Sequence, residues 1–119
     1  MNYLILEKYG LDYKNGIARC LNDEQFYEEI LSLFLDDDSY ARANTAYENR
    51  NYEELFSCLH ELKGVCGNAA LSELYDAVCP LVEILRDKCE PQEDITPLFE
   101  KVTAAYLKTR EGIITALNE

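Results

Sequence analysis

The sequence predicts an all-α fold: an antiparallel four-helix bundle with short additional N-terminal helices. Three observations predict it. Apolar residues recur at spacings of three and four along most of the chain, strict alternation rich in Val, Ile and Thr does not occur, and helix breakers fall between the periodic segments.

The elements follow in order. A short helix near Asn2–Tyr9 ends at Gly10, and Tyr13–Leu21 reads as a second before Asn22-Asp23. Asn22 is placed to cap the next helix, with Gln25 three residues on completing a capping-box pattern. That helix carries Phe26, Ile30, Leu33 and Phe34 as its apolar stripe, then meets Asp36-Asp37-Asp38-Ser39, which kinks or ends it before Tyr40–Glu48. Asn49-Arg50-Asn51 makes the next break, followed by a helix over Tyr52–Asn68 and another over Leu71–Lys88. In the latter, Leu71, Leu74, Tyr75, Val78, Leu81, Val82 and Leu85 keep register across Pro80, which predicts one kinked helix. Pro91 and Pro97 suit a helix entrance with Thr96 as N-cap. Ile95, Leu98, Phe99, Val102, Tyr106, Ile113 and Leu117 give the last helix a buried stripe. Short connections between the four longer helices imply the bundle.

A chain of 119 residues fits one domain over 1–119, large enough to fold without disulfides or metal. With 48% hydrophobic residues, nine Tyr, three Pro and five Gly it is not a disordered sequence. The 23 acidic and 11 basic residues give a formal charge of −12, which argues against nucleic acid and anionic membranes as partners, because both demand a cationic patch. The acids are dispersed, as on a solvated surface. No apolar run approaches the ~20 residues of a membrane span.

Cys20, Cys58, Cys66, Cys79 and Cys89 form an odd set without a C-x-x-C pair, and MNYLILEKYG lacks the long apolar segment of a signal peptide. A cytoplasmic, reduced protein is expected, its thiols acting as small hydrophobes. One His and scattered Cys do not supply a zinc site. The Asp36–Asp38 triplet has cation-binding chemistry, but solvated helix junctions carry such runs far more often. No metal and no cofactor is expected.

At about 100° per residue, a helix over Tyr52–Asn68 gathers Leu55, Cys58, Leu62, Val65, Cys66 and Ala69 on one side, with Leu59 at its margin. His60, the only histidine, falls opposite, among Glu53, Phe56, Ser57, Lys63, Gly64 and Gly67. A glycine inside a helix costs about 1 kcal/mol relative to Ala. Gly64 lies one turn after His60 and Gly67 two turns after, so both remove side chains that would crowd the imidazole and leave space for another protein.

A free imidazole, with a pKa of about 6.5, is largely neutral at cytosolic pH and is a nucleophile toward an activated phosphoryl group. An ammonium three residues on, at Lys63, is placed to offset the charge of the phosphoryl oxygens.

The run Leu59-His60-Glu61-Leu62-Lys63-Gly64 followed by Asn68 resembles the H-x-L-K-G signature of histidine-containing phosphotransfer domains. Leu11-Asp12 through Phe34, Asn51-Tyr52-Glu53-Glu54-Leu55, and Leu71-x-x-Leu74 resemble the family's surrounding pattern, so the similarity covers most of the chain. The resemblance implies a helical-bundle phosphocarrier that accepts a phosphoryl group from an aspartate of one receiver domain and returns it to another. His60 matches the phosphorylated histidine, Lys63 the lysine that stabilises phosphate, and Gly64 the small residue that admits partners; Phe56, Ser57, Gly67 and Glu53 belong to the same docking face. Ala70 departs from a glycine common in the family, and Pro80 interrupts a helix usually regular there.

The implied partners are receiver domains of response regulators or hybrid histidine kinases, approached by a monomer. The receiver would bring its own acidic pocket and Mg²⁺. No glycine-rich phosphate loop is present, so ATP-dependent kinase activity is not expected. An alternative reading is a non-phosphorylated helical adaptor that binds a signalling partner through Phe56 and the same face. A hydrolytic enzyme would need paired carboxylates or a nucleophile, base and orienter in reach, and a lone exposed histidine does not provide them.

Overall fold

In the computed structural model, which describes residues 1–119, seven α-helices and no strand carry the chain. They are α1 (Tyr3–Lys8), α2 (Tyr13–Arg19), α3 (Glu24–Leu35), α4 (Ser39–Glu48), α5 (Tyr52–Ala69), α6 (Ser72–Ile84) and α7 (Thr96–Leu117). The expected all-α class is the one observed.

Four helices start on the same device. The side chains of Asn2, Asp12, Asp23 and Asn51 accept the backbone N–H of Leu4, Asn15, Phe26 and Glu54 at 3.1–3.2 Å. Each satisfies a donor that has no partner within its helix. The cap of α3 is therefore Asp23 and not Asn22, which stands at φ 63 directly after Leu21 at φ 57. Two successive left-handed residues turn the chain there, while the capping residue is extended. At α7 the expected cap Thr96 is itself the first helical residue, and the Asp94 carboxylate accepts its N–H at 2.9 Å.

Two stripes differ from expectation. On α3, Phe26 and Leu33 are 49% and 68% exposed, whereas Tyr27, Leu31 and Phe34 are buried. Two apolar rows one residue apart satisfy the same spacing, and tertiary contacts choose between them. The Tyr27 hydroxyl finds the Ala69 carbonyl, and Gly16 of α2 leaves room for the ring. On α7 the row holds from Ile95 to Ile113, but Leu117 is 36% exposed in the last turn.

The acidic run at 36–38 ends α3 and starts α4. Asp37 accepts the backbone N–H and hydroxyl of Ser39, and Asp38 pairs with Arg42 at 3.0 Å. Helix α6 continues through Pro80 but stops at Ile84, short of the expected Lys88. Arg86 and Lys88 bond back to Glu83 and Leu85 in tight turns, with Lys88 at φ 61.

Helix α5 lies between α4 and α6; α6 also packs on α7, and α3 touches α5 and α7. An aromatic ladder joins α4 to α7: Tyr47 stacks on Phe99 and Tyr40 on Tyr106, both with centroids 4.1 Å apart. One cluster of 27 buried apolar residues runs through the molecule, and α5 contributes six of them. No helix is long and apolar enough to cross a membrane.

Candidate functional site

The buried side of α5 consists of Leu55, Cys58, Leu59, Leu62, Cys66 and Ala69, with Val65 half-buried. Leu59 is fully buried, so the apolar arc is wider than its marginal place on the wheel implied. These contacts fix the rotation of the helix and leave His60 exposed on the far side.

The expected site residues divide into two groups around the imidazole. Ser57 and Glu53 are exposed one and two turns before it. Gly64 is exposed one turn after it, and a Cβ built there meets nothing within 4 Å. Toward α6, Phe56 is half-buried with its ring centroid 5.7 Å from that of His60, and Lys63 is half-buried. Gly67 belongs with this second group: a Cβ there would touch the Tyr75 ring of α6 at 3.5 Å, and its carbonyl accepts Arg19 at 2.7 Å. Open space therefore comes from Gly64, while a side chain at Gly67 would meet Tyr75 of α6 in ordinary van der Waals contact.

Residues beyond α6 complete the surroundings. Lys88 Nζ lies 5.5 Å and the Arg86 guanidinium carbon 6.0 Å from the centroid of the Phe56 ring, within cation–π range. Glu83 pairs with Arg86 at 2.6 Å. The hydrogen bond and charge of Arg86 hold the Glu83 carboxyl below its ordinary range, and Lys63 acts in the same direction. Three cations, Lys63, Arg86 and Lys88, thus accompany the Phe56–His60 pair on a chain of net charge −12. A sequence signal for Arg86 existed. In an antiparallel α5–α6 hairpin it is about as far from the Ala70 turn as Phe56 is.

On the opposite flank Arg42 bridges Asp38 at 3.0 Å and Glu61 at 2.7 Å, tying α4 to α5 beside His60. Cys58 lies beneath this pair, and burial followed by its bond to Glu54 pushes the thiol up to about 11. No group of three His, Cys, Asp or Glu side chains converges to hold a metal ion.

Helix α5 ends at Ala70, which adopts the left-handed conformation at φ 55 and ψ 42. That geometry favours glycine, so the alanine here holds the turn at a cost in backbone strain. The carbonyl of Ala70 is used by Asp12, whose N–H reaches it at 3.0 Å.

A surface hollow of about 420 Å³, walled by Tyr47, Tyr52, Pro91 and Ile95, sits at the α4–α5 and α6–α7 connections, away from His60. An exposed imidazole without an enclosing pocket is chemically suited to a reaction in which the second reactant arrives on a macromolecule that excludes water itself. Scanned against protein-family models, curated proteins and solved structures, the chain matches none.

Proposed function

We propose that this chain is a histidine phosphotransfer protein, relaying a phosphoryl group between aspartates of receiver domains through phospho-His60. The observation that carries the reading is the exposed imidazole of His60 followed, one turn on, by the empty space over Gly64. On this reading the helices form an antiparallel four-helix bundle in which the interrupted α3–α4 segment is one arm, and the aromatic ladder from α4 to α7 supports that arrangement. The protein acts as a cytoplasmic monomer.

The chemistry is a reversible exchange. A neutral ring nitrogen of His60 attacks the phosphorus of a receiver's aspartyl phosphate; the P–N bond forms, the P–O bond breaks and the aspartate carboxylate leaves. The proton on the other ring nitrogen stays in place, and the same steps in reverse pass the group to a second receiver. Lys63 attracts the phosphoryl oxygens as they approach. The local cations Lys63, Arg86 and Lys88 complement a receiver's acidic pocket, while the acidic remainder of the chain disfavours other orientations.

The test is to mix the chain with a phosphorylated receiver domain and follow acid-labile phosphate. Wild type should take up one phosphoryl group and His60→Gln none, with Lys63→Ala slowed but folded. Equal labelling of wild type and His60→Gln would sink the proposal. Receiver binding that is unchanged by His60→Gln, with no labelling of either protein, would support the adaptor reading instead.

A further inference from the structure

Glu83 takes no part in the exchange just described, yet it holds one of the cations that flank the Phe56–His60 pair. Its two carboxylate oxygens accept Arg86 Nη2 at 2.6 Å and Nε at 3.3 Å. That bidentate pair directs the fork of Arg86 at the carboxylate, and a guanidinium so engaged has its best donors occupied. The same guanidinium lies 6.0 Å from the Phe56 ring, whose centroid is 5.7 Å from the imidazole. One aromatic ring therefore bridges the phosphoryl-accepting residue and a cation that is already committed elsewhere.

Both members of the pair are exposed, with side chains 54% and 63% accessible, so the pair is solvent-screened and readily exchanged. Arg86 also stands beyond the end of α6, in a turn and not in the helix itself. A phosphoryl group on His60 would present a doubly charged competitor for the same donors.

We propose that Glu83 is a positioning residue that sequesters Arg86 while His60 is unmodified and competes with the phosphoryl group for Arg86 once it is present. The proposal rests on the phosphocarrier reading of His60. Its consequence is a phosphohistidine kept labile: Arg86 stabilises the modified state only to the extent that it leaves Glu83.

The experiment uses phosphoramidate, a small donor that phosphorylates an accessible imidazole with loss of ammonia and needs no partner protein. Phospho-His60 is followed by ³¹P NMR in wild type, Glu83→Gln, Arg86→Ala and the double variant. Glu83→Gln should lengthen the half-life of phospho-His60 about two- to fivefold, the range an exposed charge pair commands. Arg86→Ala should shorten it, and in the Arg86→Ala background Glu83→Gln should lose most of its effect. Glu83→Asp, which keeps the charge, should restore the wild-type half-life. An unchanged half-life in Glu83→Gln, or an equal effect with Arg86 absent, overturns the proposal. Because phosphoramidate supplies phospho-His60 directly, that result is distinct from failure of the relay itself, which would appear as no transfer from a receiver to wild type.

Discussion

The Tyr27 hydroxyl donates a 2.9 Å hydrogen bond to the backbone carbonyl of Ala69, fastening α3 to the last turn of the helix that carries His60. Both residues are buried, so neither group has water to fall back on. Tyr27→Phe should destabilise the protein by about 1–3 kcal/mol, the cost of stranding a buried acceptor.

The same contact has a pH signature. Burial, reinforced by Cys20, Asp12 and Tyr3, raises the Tyr27 phenol above the ordinary 10.0. A raised pKa means the folded state holds the proton more tightly, so this contribution is intact below pH 10.0 and is lost as pH rises toward the folded-state value. Urea denaturation should therefore show the stability gap between wild type and Tyr27→Phe narrowing above that pH. A gap that widens there would contradict the assignment.

Gly64 and Gly16 make opposite predictions for the same substitution. Gly64→Ala, at a helical site with nothing within 4 Å, should stabilise the fold by about 0.5–1 kcal/mol. Gly16→Ala would drive a methyl into the Tyr27 ring and should destabilise by about 1–3 kcal/mol. Chemical denaturation of both variants checks the pair, and a stabilising Gly16→Ala would be the refuting outcome. If the open space serves docking, Gly64→Arg should remain folded yet transfer phosphoryl groups far more slowly than wild type.

The five cysteines should react in an order set by burial. Cys89 is exposed, Cys79 half-buried, and Cys20, Cys58 and Cys66 are buried. Burial raises the pKa of all three buried thiols, with the Glu54 contact adding at Cys58. An aromatic disulfide reagent at neutral pH should titrate Cys89 fast and the three buried thiols only on unfolding. Cys58 or Cys66 reacting as fast as Cys89 would show that α5 is not packed as described.

The sequence alone determined the helical class, the extent of α5 within a residue, and the placement of His60 opposite Leu55, Cys58 and Leu62. These are properties of one helix: its period is set by backbone hydrogen bonds, and its rotation by its own apolar residues. Elsewhere local pattern left a choice. Spacing alone could not say whether Phe26 or Tyr27 faces inward, because that depends on the Ala69 carbonyl and the room left at Gly16. Only the tertiary structure placed Gly67 against Tyr75 and brought Arg86 and Lys88 to the Phe56 ring beside His60. Those contacts cross from one helix to its neighbour or to the turn beyond it, and helical periodicity carries no information about which neighbouring helix supplies the other half of a contact.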